Sequence, residues 1–545
     1  MWSLSPIRRV FPQPFFGDST RVDFRFLSAA ERVGGGRDKG GSAGTVRSRG
    51  TRGNSGANQQ ASGLKGCGRH TLDEHRGCEK VKCLHFSNVA AGSVGQRERA
   101  VYVDRQTLGD LEILHGRHGA TPLAAVLDRT RTPAGRRRLR ERLTHPLSDP
   151  SLLASELASV RHAFETGLEL SIPEGIPEAV ESYLHASLAS AGDRSLLGGW
   201  IEAGWVSVRY PELLSLAREG VEAVSGLVKA LEAPTRAACE DEAPAELRRI
   251  GGNIAALVQK LDLRGLVGLR GAAPVLAADH RLRSRHRGDM LRLLERVGEL
   301  DLCLAAARLA DEGWAIPELD PGRGLRVDGT GIRHPLLSDA VGNAVELGAV
   351  RSVVFLTGPN MAGKTTYLRS VALCVYLAHC GLPVPADTFR LTPVDALFTS
   401  FAPEDNLREG LSFFMGEVRR VRTVLERISN GDRTLALFDE VFRGTNVHDA
   451  LEASRMVIEG CARARGSGFL FSSHLAELAP LLEEAGTVRF AHFHGESEGG
   501  RTTFDYRLRP GVSDQRLGLD ILRQEGVDRL LLDLDHDDSS PITRP

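Results

Sequence analysis

The sequence predicts an α/β domain on a mainly parallel sheet, preceded by an all-α domain, with a disordered N-terminal segment. Three observations predict it. From about Val101 to Leu319, apolar residues recur at i, i+3/i+4 spacing and strand-like alternation is scarce. From about Arg326, short apolar runs alternate with helical stretches, as in a sheet with crossover helices. Between Gly34 and Gly63 the chain is Gly/Ser/Arg-rich with almost nothing to bury. The expected boundaries are 1–100 for the disordered basic arm, 101–325 for the helical domain and 326–545 for the α/β domain.

Composition bounds the rest. A chain of 545 residues has room for two to four domains, at roughly 100–200 residues each. With 41% hydrophobic and 26% charged residues, it is ordinary for a soluble globular protein. The net charge of -1 names no partner, but it is unevenly spread: residues 1–100 carry 17 Lys and Arg against 8 Asp and Glu. A nucleic-acid surface, if present, is therefore local. Eight scattered cysteines without a CxxC pair read as buried, reduced thiols of a cytoplasmic protein. Cys67, Cys78 and Cys83 lie near His70, His75 and His85, at spacings of no common zinc finger. The longest apolar stretch, around Val371–Val384, is broken by His379 and Pro383. It falls short of the roughly 20 residues of a membrane span, so no membrane association is expected. The first residues are Arg-rich and acid-poor, weakly like an organellar transit peptide. Prolines at 6, 12 and 14 oppose the helix such a peptide needs.

Along the chain, the basic arm reads either as a tether without function or as a segment that touches nucleic acid. Leu108, Leu111, Ile113 and Leu114, then Leu123, Val126 and Leu127, follow helical spacing. So do Leu291, Leu294, Val297, Leu300 and Leu304. Ser352–Thr357, Thr434–Asp439 and Gly468–Ser472 read as short buried strands, and Thr366 to Leu382 as a helix.

Gly358-Pro-Asn-Met-Ala-Gly363-Lys364-Thr365 satisfies G-x-x-x-x-G-K-[ST] between an apolar strand and a helix, the context that motif requires. Its glycines let backbone N–H groups turn inward around phosphate oxygens, and the helix N-terminus adds partial positive charge. Lys364 is expected to reach the β- and γ-phosphates, and the Thr365 hydroxyl to ligate Mg2+. The strand Leu435–Phe438 runs into Asp439 and Glu440. Asp439 reads as a second holder of the metal and Glu440 as a general base. His474, just beyond a third strand, can donate a hydrogen bond to phosphate or water.

These residues resemble one family. TGPNMAGKTTYLRSVAL is similar to the MutS form of the P-loop, with its unusual Pro359-Asn360-Met361 insert, and LFDEVFRGTNVHDALEAS to the MutS Walker B and D-loop. FTSFAPEDNLREGLSFFMGEV resembles the MutS counterpart of the ABC signature, and FSSHLAEL its H-loop segment. Asp110–Glu112 with Thr121–Asp149 resembles the start of the MutS core, and Gly331-Ile-Arg-His-Pro335 the lead-in to the ATPase. Gly511–Val527 resembles the segment that helps MutS ATPases dimerise. The likeness covers about residues 104–530. Residues 1–100 hold nothing similar to a mismatch-reading domain. Phe442 and Asn446 lean toward MutS-like paralogues, and the helical region is shorter than a full core with its clamp.

The resemblance implies an ABC-type P-loop ATPase preceded by a helical lever, cycling between open and closed as a head-to-tail homodimer on double-stranded, including branched, DNA. It implies ATP and Mg2+ as cofactors. The ATP-binding set is Gly358, Pro359, Asn360, Met361, Ala362, Gly363, Lys364, Thr365 and Thr366. Thr365 and Asp439 hold the metal, and Lys364, Glu440 and His474 are catalytic. Ser412, Phe414, Met415 and Glu417 complete the partner's site. Gly444, Thr445 and Asn446 form the D-loop, and residues about 511–530 the dimerisation segment. Arg281, Arg283, Arg285 and Arg287 form a dense basic cluster for DNA phosphates; Arg136, Arg137, Arg138, Arg140 and Arg142 read rather as a solvated helix face. A competing reading is a nucleotide-gated scaffold for a protein or ribosomal partner. A transporter subunit is disfavoured because LSFFMGE replaces an LSGGQ-like signature.

Overall fold

The computed structural model describes residues 100–186, 196–322, 324–401, 413–474, 477–483, 488–498, 501–513, 515 and 522–535. The basic arm with its three cysteines, Ser412, and residues 514 and 516–521 of the expected dimerisation segment lie outside them.

The chain enters through a two-residue strand, β1 (Tyr102–Val103), and the short helices α1 (Arg105–Asp110) and α2 (Leu123–Leu127). Then come α3 (Pro133–Thr144) and α4 (Pro150–Glu165). Both start on a capping residue followed by proline: Thr132 Oγ1 accepts the Gly135 N–H, and Asp149 accepts those of Ser151 and Leu152. The helical part continues with α5 (Ile176–His185), α6 (Leu196–Arg209), α7 (Pro211–Ala238), α8 (Ala245–Lys260), α9 (Ala272–His280) and α10 (Arg287–Asp311). A π-helical turn, Arg281–Arg285, joins the last two. Helix α10 buries Leu294, Val297, Leu300 and Leu304 as its periodicity predicts. It crosses α3 at backbone distance. A Cβ on Gly298 would stand 2.8 Å from the Ala134 carbonyl carbon, and one on Gly135 2.2 Å from Asp301 Oδ2. That same Asp301 oxygen accepts from the Thr132 N–H (2.8 Å) and hydroxyl (2.7 Å), locking the start of α3 to α10.

The α/β part contains β2 (Glu318–Leu319), β3 (Val327–Ile332), β4 (Asn343–Leu347), β5 (Val353–Thr357), α11 (Lys364–His379), β6 (Thr388–Leu391) and β7 (Ala396–Ser400). It goes on through α12 (Phe413–Ser429), β8 (Thr434–Asp439), α13 (Val447–Ala462), β9 (Gly468–Ser472), α14 (Leu478–Glu483), β10 (Val488–Glu498) and β11 (Arg501–Pro510). A terminal helix spans Val527–Asp535. The large sheet has the order β1-β7-β8-β9-β5-β10-β11 and is parallel except for the β10–β11 hairpin. A second sheet, β2-β6-β3-β4, is mixed. Strand β5 is buried on both faces. Val354 and Leu356 pack toward α11 and the helices before it, in one continuous apolar core. Val353 and Phe355 join a second core with residues of α12, α13 and α14.

Three expectations change. Tyr102–Val103 lies within the stretch read as helical, yet it is the edge strand of the large sheet, paired in parallel with β7. Two residues carry no period to read. The helix expected through Leu114 stops at Asp110, because Glu112 takes φ 52°. Among the described cysteines, Cys303, Cys374, Cys380 and Cys461 are buried, but Cys239 is exposed.

Candidate nucleotide-binding site

Strand β5 ends at Thr357, and the chain turns through residues 358–363 into α11. Gly358 adopts φ 132° and Gly363 φ 101°. A Cβ on Gly358 would meet the Phe493 carbonyl oxygen at 2.6 Å, so β10 packs where any side chain would stand. Gly363 is the N-cap of α11, whose first N–H groups therefore face the loop. Lys364 is buried and donates from Nζ to the carbonyl oxygens of Gly358 (2.7 Å) and Pro359 (3.1 Å). Its burial pushes its pKa below the ordinary lysine value.

Strand β9 lies between β5 and β8, so three parallel strands end along one edge of the cleft. From the first turn of α11, Thr365 Oγ1 donates to Asp439 Oδ2 at 2.5 Å. The Ser472 hydroxyl, at the end of β9, donates to the other oxygen of that carboxylate. Glu440 follows with φ 54°, its N–H donating to the Ser472 carbonyl at 3.0 Å. Its carboxylate faces Arg443 Nε at 2.8 Å, His474 Nδ1 at 3.7 Å and Lys364 Nζ at 4.0 Å. The facing His474 imidazole, with Arg443 and Lys364, holds Glu440 below the usual carboxylate range against its own burial.

The resulting cleft measures about 530 Å³ and is also lined by His334, Asn343, Tyr367 and Tyr506. Burial and the neighbouring Arg369 push His334 down to about 4. Two adjacent hard oxygen donors, Thr365 and Asp439, fit a small divalent cation. A buried ammonium beside a helix N-terminus fits a phosphate chain.

This arrangement agrees with the comparisons. Residues 354–536 match the family model of MutS domain V and residues 106–307 that of MutS domain III. The chain belongs to the MutS family. It is similar to the DNA mismatch repair protein MutS of Granulibacter bethesdensis, with 34% identity over 251 residues, 44% of this chain and 27% of the relative. The MutS of Brevibacillus brevis is 34% identical over 247 residues, 44% of this chain and 28% of the relative. That of Lactococcus lactis is 31% identical over 253 residues, 45% and 30% respectively. The matched stretch thus spans under a third of these relatives' length.

The remaining candidate residues of this MutS-family chain divide. Of those expected to face a partner, Met415 is 41% exposed. Phe414 and Glu417 instead turn inward, Phe414 onto the ring of Phe442 at 5.8 Å and Glu417 beneath the 442–444 turn of its own chain. They share one face of α12, and that face is buried. In the expected D-loop, Gly444 and Asn446 are exposed and Thr445 is half-buried. Asn446 caps α13, accepting the Asp449 N–H at 3.0 Å.

The basic cluster is corrected most. Arg283 is buried, bonded to Asp279 at 2.6 and 2.9 Å, and stacked over Tyr183 at 5.4 Å. Arg281 pairs with Asp262 at 3.3 Å, and Arg287 donates to the Leu184 carbonyl at 3.2 Å. Arg285 alone of the four is exposed with no partner recorded among the described residues. Residues two apart lie on opposite sides of a helix, so the four never shared one face, and their density along the sequence misjudged them. In the first arginine run, Arg136, Arg137, Arg138 and Arg142 pair with Asp128, Glu181, Glu299 and Glu156.

Sequence reasoning missed Arg443 and Ser472. Both sit inside motifs already singled out, and their adjacency to Glu440 and to the Asp439 strand was the available signal. Asn343 and Tyr506 come from distant elements and left none.

Proposed function

We propose that this chain is a MutS-type ATPase that uses Mg-ATP to open and close a dimer on DNA. The ATPase reading is carried by the convergence of Lys364, Thr365, Asp439 and Glu440 on one cleft. The loop N–H groups, Asn360 and Lys364 would hold the triphosphate, and Thr365 and Asp439 the cation. That cation, when bound, neutralises charge on the phosphate oxygens. Glu440, kept ionised by its neighbours, accepts a proton from the attacking water as the terminal phosphorus–oxygen bond breaks. Lys364 would balance charge on the phosphates, and His474, which faces Glu440 at 3.7 Å, would donate a hydrogen bond to the γ-phosphate.

DNA as the ligand rests on the relatives, which are named DNA mismatch repair proteins. The homodimer is supported by exposed apolar side chains on motif segments, Met361 in the loop, Met415 on α12 and Val447 on α13, and by Met456 further along α13. The domain boundaries at residues 100 and 325 go with this reading. No helix among the described residues is long and apolar enough to cross a membrane.

Phosphate release by the purified chain, measured with no nucleic acid, with duplex, mismatched, branched or single-stranded DNA, and with RNA, tests the proposal. Turnover stimulated by a DNA form is expected. Turnover indifferent to every DNA form would remove DNA and leave the nucleotide-gated scaffold. No turnover at all would remove the ATPase.

A further inference from the structure

We infer that Glu417 is a positioning residue for hydrolysis, backing the 442–444 turn whose Arg443 grips Glu440, and that Arg420 ties the same helix to the first helix of the chain's helical part. This rests on the ATPase reading above.

The geometry lies on one face of α12. Phe414, Glu417 and Arg420 are spaced three apart, so successive members stand about 4.5 Å along the axis. Phe414 packs on Phe442. Glu417 is 6% exposed, and its Oε2 is buried without a hydrogen-bond partner. The peptide N–H groups of Gly444, Arg443 and Phe442 favour its ionised form, while burial prevails and holds its pKa above the ordinary range. The middle residue of that turn, Arg443, grips Glu440 through its side chain at 2.8 Å. Phe414 on Phe442 and the buried Glu417 on the same face thus back the turn whose Arg443 faces the carboxylate that meets water.

The turn needs such a hold. Glu440 and Phe442 both sit in the left-handed region, at φ 54° and 66°, and neither is glycine. Conformations of this kind persist where surrounding contacts over-determine them. One helical turn further on, Arg420 forms an ion pair with Asp104 and donates to Thr107 Oγ1 at 2.9 Å and to the Thr399 carbonyl at 2.5 Å. Thr399 Oγ1 and the Phe401 N–H in turn donate to Asp110 Oδ2, at 2.8 and 3.1 Å. Asp104, Thr107 and Asp110 flank or belong to α1. A shift of α1 is thus passed along one rigid turn of α12 to the catalytic carboxylate. The signature helix works here within its own chain, in addition to any role across a dimer.

The test uses the full chain carrying Glu417→Gln, which keeps the volume and removes the charge, and Glu417→Ala. Binding of a fluorescent ATP analogue and steady-state turnover are measured on each, with Glu417→Asp as the conservative rescue. The expected result is a kcat lowered roughly tenfold to a hundredfold in the Gln and Ala variants, with analogue affinity within about twofold of the parent, and partial recovery in Asp. A residue that only stabilised the fold would lower binding and turnover together. An unchanged kcat in Glu417→Gln overturns the inference even if Glu417→Ala fails to fold. Absent turnover in the parent chain removes the underlying ATPase reading instead.

Discussion

Helices α11 and α12 both join the candidate site to the helical part: midway along, α11 pairs Arg369 with Glu112 at 3.6 Å, but its C-terminus and the middle of α12 are joined by opposite chemistry. The N-terminus of α11 carries the loop and Lys364. Its C-terminus is sunk into the α3–α4 junction through neutral groups. Tyr376 donates to the Leu143 carbonyl, and the Leu147 N–H donates to the His379 carbonyl at 2.7 Å. The His379 ring, fully buried, donates from Nδ1 to the Leu147 carbonyl at 2.7 Å and accepts the Val394 N–H on Nε2 at 3.1 Å, which fixes its tautomer. Helix α12 makes its connection with the charged pair Arg420–Asp104, backed by stacking of Arg420 over Phe398 at 4.9 Å. The neutral junction of α11 is an anchor that positions a loop. The charged junction of α12 depends on the placement of a few atoms and suits a part that transmits movement.

The largest expected effect lies at the business end of α11. Lys364→Ala lowers ATP turnover by about 10² or more, since a buried cation facing the phosphates is lost. Phosphate-release kinetics check it, and a change under threefold would detach α11 from the chemistry. Next, Arg420→Met leaves Asp104 facing its lost partner in a largely buried place. It destabilises the chain by about 3 kcal/mol, read by urea unfolding. A loss below about 1 kcal/mol would mean that α12 is held by Phe414 and the valines alone.

Acid separates the two helices. Burial pushes His379 from an ordinary 6.5 down to about 4. The unfolded chain therefore takes up that proton first. The contribution of His379 is complete above pH 6.5 and declines as pH falls from 6.5 toward 4, by up to about 3 kcal/mol. Although burial alone would raise it, Arg420 holds Asp104 below 3.8, so the α12 junction persists until more acid conditions. His379→Gln should flatten the stability profile between pH 6.5 and 4; an unchanged slope would place the titration elsewhere, His334 being the other buried candidate. The smallest effect is expected from Arg285→Ala, which sits on the surface: under about 0.5 kcal/mol in stability, by thermal unfolding.

The legible parts were those whose signal is local. Strands Thr434–Asp439 and Gly468–Ser472 occur at their expected bounds, and β5 begins one residue late. The loop Gly358–Thr365 announces itself because its glycines, lysine and threonine are contiguous. What stayed hidden was decided by tertiary pairing. Asp104 and Arg420 are 316 residues apart. Glu417 reads as a partner-facing residue until the 442–444 turn is seen above it. The four arginines of 281–287 look uncompensated because Asp262 and the Leu184 carbonyl lie far outside their run; Asp279, four residues before Arg283, was a partner that helical spacing does offer.

Single-turnover hydrolysis by Glu440→Gln beside the parent chain, with Mg2+ and with a chelator, bears most directly on the whole account. The parent should release phosphate only with Mg2+. The variant should retain ATP with similar affinity while releasing phosphate at least about 10²-fold more slowly. Equal release by the two proteins, or failure of both to retain any adenine nucleotide, would contradict the assignment of the cleft.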